Sequence, residues 1–456
     1  MNGGVSFFQD LYDQIATRGF ELVGWPSRSE QGETLCASLA RALLAQKGEA
    51  SAAALAQRLV EVCRGLDDEA RFGFFAFLAE NFSPDPAAAL AAAKAYAKEP
   101  GPATLAALQA VVEPPRQDLF RRMNMAADGT ATLVSLRASL IDMLGAHPRL
   151  RTVDHDLLHL FISWFNRGFL MFDRVDWHSS AALLEKLIAY EAVHRFTGWH
   201  DLRRRLGPDR RCFAFFHPAL PDEPLIFVQV ALTRGIADRI APLIDPERDD
   251  DDPAKADTAI FYSITNCQKG LRGVSFGSFL IKQVAAELKA ELPHLQTFAT
   301  LSPVPGFRRW LEAQTHPPEG LVETLAEDGW HEDPEKVRAW EKPLAGLCAH
   351  YLTRAKRPDG YPLDPVARFH LGNGARLERV DPLGDLSTNG MRLSAGTMVN
   401  YLYRLDHLEQ NHEAYVNDKS VIATRAVETL ARRAPLQAAA ADDPPTRRTT
   451  KKEQTP

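Results

Sequence analysis

The chain has 456 residues, 45% hydrophobic and 25% charged, long enough to bury more than one core. Its formal charge of −6 is mild for that length and leaves no basic footprint for nucleic acid. No apolar run approaches the roughly 20 residues of a membrane helix, and "MNGGVSFFQDLYDQ" carries Asp10 and Asp13 where a secretory signal is apolar.

Residues 1 to about 195 read as helical throughout. "ETLCASLARALLAQ" and "AALAQRLVEVCRGL" repeat apolar residues at three- and four-residue spacing. "DPAAALAAAKAYAKEPGP" opens on Asp85 and Pro86, an N-cap and first-position pair, and stops at Pro-Gly-Pro. Pro114 and Pro115 mark another break. "DHDLLHLFISWFNRGFLMF" (154–172) is apolar on most of its surface and reads as one buried or interface helix. His155, His159 and His194 fall in these segments and read as structural.

The pattern changes near 210. "RCFAFFHP" and "PLIFVQVALT" are short β-rich runs joined by an "ALPDE" turn. "DTAIFYSIT" (257–265) and "LQTFATLS" (295–302) read as two more strands. Between them "SFGSFLIKQVAAELKAEL" puts Phe276, Leu280, Val284, Leu288 and Leu292 on one helical stripe, which makes a βαβ unit. The acidic run 245–257 reads as a solvated loop, and the last 20 or so residues as a disordered tail. The arginines at 203–205, 210 and 211 read as a solvated face or as ion pairs, with coenzyme A phosphates as the competing partner.

The five cysteines, Cys36, Cys63, Cys212, Cys267 and Cys348, show neither disulfide-framework nor zinc-ligand spacing. That pattern points to a reducing, cytoplasmic setting.

"NCQKGLRGVSFGSF" (266–279) lies between the third strand and the amphipathic helix. Gly270, Gly273 and Gly277 permit close backbone approach, free N–H groups at a helix start favour an anion, and Gln268, Lys269 and Arg272 add donors. The spacing is neither Walker A nor a Rossmann fingerprint. A phosphate cradle and a tight turn that only packs helix on strand both remain open. In position the loop resembles the pyrophosphate-binding turn of the GCN5-related acetyltransferase (GNAT) fold, although the spacing after Gln268 departs from that family's Gln/Arg-x-x-Gly-x-Gly/Ala.

Three segments together are more specific: "QKGLRGVSFGSFLIKQV" (268–284), "TLSPVPGFRRWL" (300–311) and "YPLDPVARFHLGNGARLERVD" (361–381). In this order they resemble malonyl-CoA decarboxylase, as do "EAVHRFTGWHDLRRRLGPDRRCF" (191–213) and "VNYLYRL" (399–405). The resemblance implies an α+β chain: a helical domain over 1–195 used in homo-oligomerisation, a GNAT-like catalytic domain over 196–433, and a tail over 434–456. It implies conversion of malonyl-CoA to acetyl-CoA and CO2 without biotin, metal or other cofactor. The family's serine motif Ser-Pro-x-Pro-Gly-Phe falls on Ser302, and its histidine motif Phe-His-Leu-x-Asn-Gly-Ala on His370. Its Asn-Tyr-x-Tyr motif points to Tyr403. The acyl-CoA loop maps onto Gln268, Gly270, Arg272, Gly273, Val274, Ser275, Phe276, Gly277 and Ser278. Departures are Arg368 before Phe369, and Gly372 where glutamine is common.

Losing CO2 from a malonyl thioester leaves an enolate that needs stabilising donors and then a proton on carbon. A histidine of ordinary pKa near 6.5 donates at neutral pH, so His370 is expected to be the donor and Ser302 its hydrogen-bonded partner. No Gly-x-Ser-x-Gly elbow is present. On pattern alone Ser302 is a turn serine, His370 a strand histidine, Tyr403 a core residue, and Asn373-Gly374 a hairpin turn. The rival functions are a GNAT-fold acyltransferase and a non-catalytic acyl-CoA sensor.

Overall fold

A computed structural model describes residues 32–274 and 279–436. Within them the chain divides into two compact units. The first runs up to Val230 and includes Ser263–Val284; the second holds Ala231–Tyr262 and the chain from Ala285 onward.

Among the described residues the first unit opens on eight helices: Gly32–Ala45, Glu49–Arg64, Asp68–Asn81, Pro86–Lys98, Pro102–Val112, Pro115–Asn124, Gly129–Met143 and Arg151–Trp164. Local chemistry sets their ends. The Asp85 carboxylate accepts from Ala87 N at 2.9 Å with Pro86 in the first turn, and Asp67 accepts from Ala70 N at 2.9 Å. The apolar stripes face inward, with Leu39, Leu43, Leu59, Phe74, Leu78, Leu119, Phe120 and Phe161 all buried. Each such side chain contributes about 1.5–3 kcal/mol.

The single helix expected over 154–172 is not formed. It stops at Trp164; Asn166 then caps a short 3₁₀ turn, and Met171–Val175 becomes strand β1. β1 pairs antiparallel with β2 (Arg210–Phe216), Met171 facing Phe216 and Val175 facing Cys212. The region before 195 is therefore not helical throughout. Behind these strands Leu184, Leu187, Leu202, Cys212, Ala214 and Phe227 form a buried cluster. The β2 strand leads through the expected turn into β3 (Ile226–Thr233), and Leu225 N donates to Phe215 O at 2.8 Å.

Of the five arginines only Arg203 is exposed; the other four are not a solvated face. Arg204, Arg205, Arg210 and Arg211 are buried, and only the ion-pair alternative fits. Arg205 forks onto both oxygens of Asp201, at 2.6 and 2.9 Å, and Arg204 onto both of Asp209, at 2.7 and 3.0 Å. His194 is buried too, but in a loop rather than a helix.

The part of β4 (Thr258–Asn266) that falls in the second unit pairs parallel with β5 (Thr297–Thr300), from Thr258 opposite Thr297 to Phe261 opposite Thr300. The helix Phe279–Glu291 joins them, with Leu280, Val284 and Leu288 buried, so the expected βαβ unit is present. The acidic run 245–257 is largely exposed, as its composition predicts. β8 (Met398–Leu402) pairs antiparallel with β5, with β6 (Ser302–Pro303) and with β7 (Arg376–Asp381). Ser302 is opposite Val399 and Pro303 opposite Met398, so the turn read at these residues is also a short strand. β6 closes the order β4-β5-β8-β6, a terminal place where a proline without an N–H is tolerated. Ile240, Ile260, Tyr262, Ala299, Leu301 and Met398 form the core beneath. The architecture is thus two-part α+β: helices first, then a mixed sheet with helices. Among the described residues no helix is long and apolar enough to cross a membrane.

Candidate active site

The helix Pro365–Gly372 carries His370. Asp364 caps it, Oδ1 accepting from Ala367 N at 2.7 Å, and Pro365 opens its first turn. It ends at Asn373, whose N–H reaches His370 O, and Gly374 at φ +81° turns the chain toward β7. A Cβ on Gly374 would lie 2.1 Å from Leu408 O, so the position needs glycine. Asn373-Gly374 is therefore a helix stop and not a hairpin, and His370 is in a last helical turn and not a strand.

Ser302, His370 and Tyr403 converge. His370 Nε2 lies 3.0 Å from Ser302 Oγ, and its Nδ1 lies 2.7 Å from the Tyr403 hydroxyl. Ser302 Oγ donates to Thr300 Oγ1 at 2.9 Å, which in turn accepts from Tyr401 N at 3.1 Å. With the Ser302 hydrogen spent on Thr300, Ser302 accepts from Nε2–H; Nδ1 is then the acceptor and Tyr403 its donor. One direction runs through the set, from Tyr403 through His370 and Ser302 to Thr300.

Strand alternation makes this possible. Tyr401 and Tyr403 are two residues apart and reach the same imidazole: Tyr401 stacks on it at 4.6 Å and 24°, while Tyr403 bonds its edge. Just before them Asn400 Nδ2 donates to Thr300 O at 2.8 Å and to Ala237 O at 3.0 Å, tying β8 to the end of β5 and to the loop after β3. Thr300, Asn400 and Tyr401 were not singled out from sequence, although Asn400 and Tyr401 belong to the same Asn-Tyr-x-Tyr run as Tyr403.

Burial, the only cause acting, pulls the His370 pKa down to about 3. The imidazole is neutral at pH 7, contrary to the expectation of a group poised near 6.5. Burial also pushes the Tyr401 and Tyr403 hydroxyls well above their ordinary value. The set is an uncharged hydrogen-bonded chain, suited to moving a proton without stabilising an isolated ion.

The described part of the glycine loop is in the first unit. Leu225, Asn266, Gln268, Lys269, Arg272, Gly273 and Val274 line a cavity of about 390 Å³. Arg272 and Gly273 are exposed at it, and Gly273 has φ +88°. Gly270 is glycine for a different reason: a Cβ there would meet Val134 O at 1.9 Å. Arg137, missed from sequence, holds the loop. Its Nη1 donates to Gly270 O at 2.6 Å and Arg272 O at 2.8 Å, while Nε pairs with Asp154 at 2.8 Å. Gln268 donates to Pro224 O at 3.2 Å, and Lys269 pairs with Asp142. Ser275, Phe276, Gly277 and Ser278 lie outside the described residues.

Residues 168–442 match the model of the malonyl-CoA decarboxylase C-terminal domain, and 82–165 that of its N-terminal domain. The chain belongs to the malonyl-CoA decarboxylase family. The longer match takes in Gln268–Val274 as well as Ser302, His370 and Tyr403. A mitochondrial malonyl-CoA decarboxylase of Anser anser anser is 39% identical over 342 residues, 68% of each chain. That of Rattus norvegicus is 36% identical over 356 residues, 71% of this chain and 72% of the relative. The crystal structure of malonyl-CoA decarboxylase from Rhodopseudomonas palustris is similar at a TM-score of 0.83 and 48% identity, covering 88% of this chain and 100% of that one. The one from Agrobacterium vitis gives 0.81 and 47%, covering 87% and 99%.

Proposed function

We infer that this chain decarboxylates malonyl-CoA to acetyl-CoA and CO2, as a carboxy-lyase of malonyl-CoA catabolism in fatty-acid metabolism. The observation that carries the mechanism is the buried Tyr403–His370–Ser302 hydrogen-bonded chain. Loss of CO2 leaves the electron pair on the thioester as an enolate. Ser302 delivers a proton to the carbon, Nε2–H of His370 refills Ser302, and Tyr403 donates to Nδ1 as Nε2 gives up its hydrogen, so the ring stays neutral. A solvent proton replaces the one Tyr403 gives up within the same transfer, so no buried phenolate is left and the turnover balances. This keeps the donor role expected of His370 but routes it through Ser302, because the Nε2 hydrogen is already aimed there.

The acyl-CoA loop in this reading is Gln268, Gly270, Arg272, Gly273 and Val274, continuing through 275–278. Its support is the cavity with Arg272 and Gly273 exposed at it. The parallel β4–β5 pair with its intervening helix supports a GNAT-like catalytic part over 196–433, following a helical part over 1–195 through which copies assemble as a dimer or tetramer. The chemistry needs no biotin, metal or other cofactor, since the thioester itself accepts the electron pair. Free cysteines fit a reducing compartment, taken here as the cytoplasm. An acyltransferase on the same fold is not favoured, given relatives named as decarboxylases.

The purified chain is incubated with malonyl-CoA alone. Release of CO2 with equimolar acetyl-CoA is expected; acyl transfer that requires an acceptor, with no CO2, would overturn the reading.

A further inference from the structure

Every group in the relay is ambivalent about its hydrogen bonds. A tyrosine or serine hydroxyl both donates and accepts, and a neutral imidazole carries its hydrogen on either nitrogen. The same three side chains can equally bond in the opposite sense, Ser302 donating to Nε2 and Nδ1–H donating to Tyr403. Thr300 breaks that symmetry. It is 0% exposed and pinned by β8: Asn400 Nδ2 donates to its carbonyl at 2.8 Å, and Tyr401 N to its Oγ1 at 3.1 Å. A backbone N–H can only donate, so it fixes Oγ1 in place as an acceptor. That same oxygen accepts the Ser302 hydrogen at 2.9 Å, which leaves Ser302 Oγ a lone pair for His370 Nε2, 3.0 Å away.

We propose that Thr300 is a positioning residue for proton transfer: its hydroxyl oxygen holds the Ser302 hydrogen and so keeps His370 in the Nε2–H tautomer, aimed at Ser302. The inference rests on the decarboxylase reading and deepens it, by naming the group that sets the direction of the relay. It concerns one oxygen rather than the shape of the side chain, and two substitutions separate these. Thr300→Val keeps the branched shape and removes Oγ1. Thr300→Ser keeps the oxygen and removes the methyl group.

Spectra of the ¹⁵N-histidine-labelled protein report which ring nitrogen of His370 carries the hydrogen, its signals being assigned by their loss in His370→Gln. Wild type should show it on Nε2. The Ser variant is expected to keep that tautomer, and kcat for malonyl-CoA within about threefold. The Val variant should move the hydrogen to Nδ1 and lose roughly tenfold or more in kcat, with KM little changed. A wild-type hydrogen on Nδ1 would overturn the proposal, as would a Ser variant that loses the tautomer. So would a Val variant with the tautomer unmoved, or with kcat within threefold of wild type. The wild-type spectrum decides even where the Val variant does not fold. It reads the tautomer whether or not the protein turns over, whereas absence of CO2 from wild type would sink only the decarboxylase reading.

Discussion

Replacing His370 by Gln tests the buried, neutral imidazole through the pH dependence of stability. In the unfolded chain this histidine titrates near 6.5, whereas in the fold burial holds it at about 3. Between those values the unfolded chain binds one proton more than the folded one. Stability therefore falls as pH drops through that window, by about 1.4 kcal/mol per pH unit. From pH 6.5 to 4.5 wild type should lose roughly 2–3 kcal/mol that His370→Gln does not lose. Asp364 acts in the opposite sense: burial raises it to about 6, so its contribution fades as pH rises from about 4 to 6. It is present in both proteins and cancels in the difference. Urea unfolding at half-unit pH steps gives the two slopes. Parallel slopes, or His370 nitrogen shifts that titrate near pH 6.5 in the folded protein, would refute the reasoning.

Tyr403→Phe removes the Nδ1 partner while keeping the ring, so kcat should fall by roughly ten- to a hundredfold with KM nearly constant, read by steady-state CO2 release. Arg137→Ala frees the Gly270 and Arg272 carbonyls that line up the loop; KM for malonyl-CoA should rise by about tenfold with a smaller change in kcat. Arg205→Met leaves Asp201 as an uncompensated buried charge, and unfolding titrations should show a loss of about 3–5 kcal/mol.

Much of the fold was legible because local signals agreed with the final packing. Asp85-Pro86 started a helix, the 280–288 stripe buried its apolar face, and the two β-rich runs flanking it became a parallel pair. His370 was misplaced by a real ambiguity. Phe-His-Leu before Asn-Gly reads as a strand entering a hairpin, yet the Asp364-Pro365 start signal six residues earlier was the same one that worked at 85–86. β1 was hidden in a continuous apolar run, where periodicity cannot separate helix from strand; Asn166 and Gly168 were the available break. The arginines were left open between a solvated face and ion pairs because a charge run carries no record of burial. Asp201, four residues before Arg205, was the signal that an internal partner existed.

At the site, the serine, histidine and tyrosine were found by motif, and strand alternation alone would have added Tyr401 beside Tyr403. The histidine's protonation was not legible, because it depends on complete desolvation by segments far apart in sequence. The glycines were only half legible. Gly270 answers to the carbonyl of Val134, a contact over more than a hundred residues of chain, rather than to a ligand.

The central claim is that Ser302 and His370 together deliver the proton to the decarboxylated carbon. The most direct measurement is the rate of CO2 release from malonyl-CoA by Ser302→Ala and His370→Gln, with folding of each verified by thermal unfolding. The account predicts that each variant loses about a hundredfold or more in kcat and that the double variant loses little beyond either single one. Rates within a few-fold of wild type in a folded single variant would contradict it.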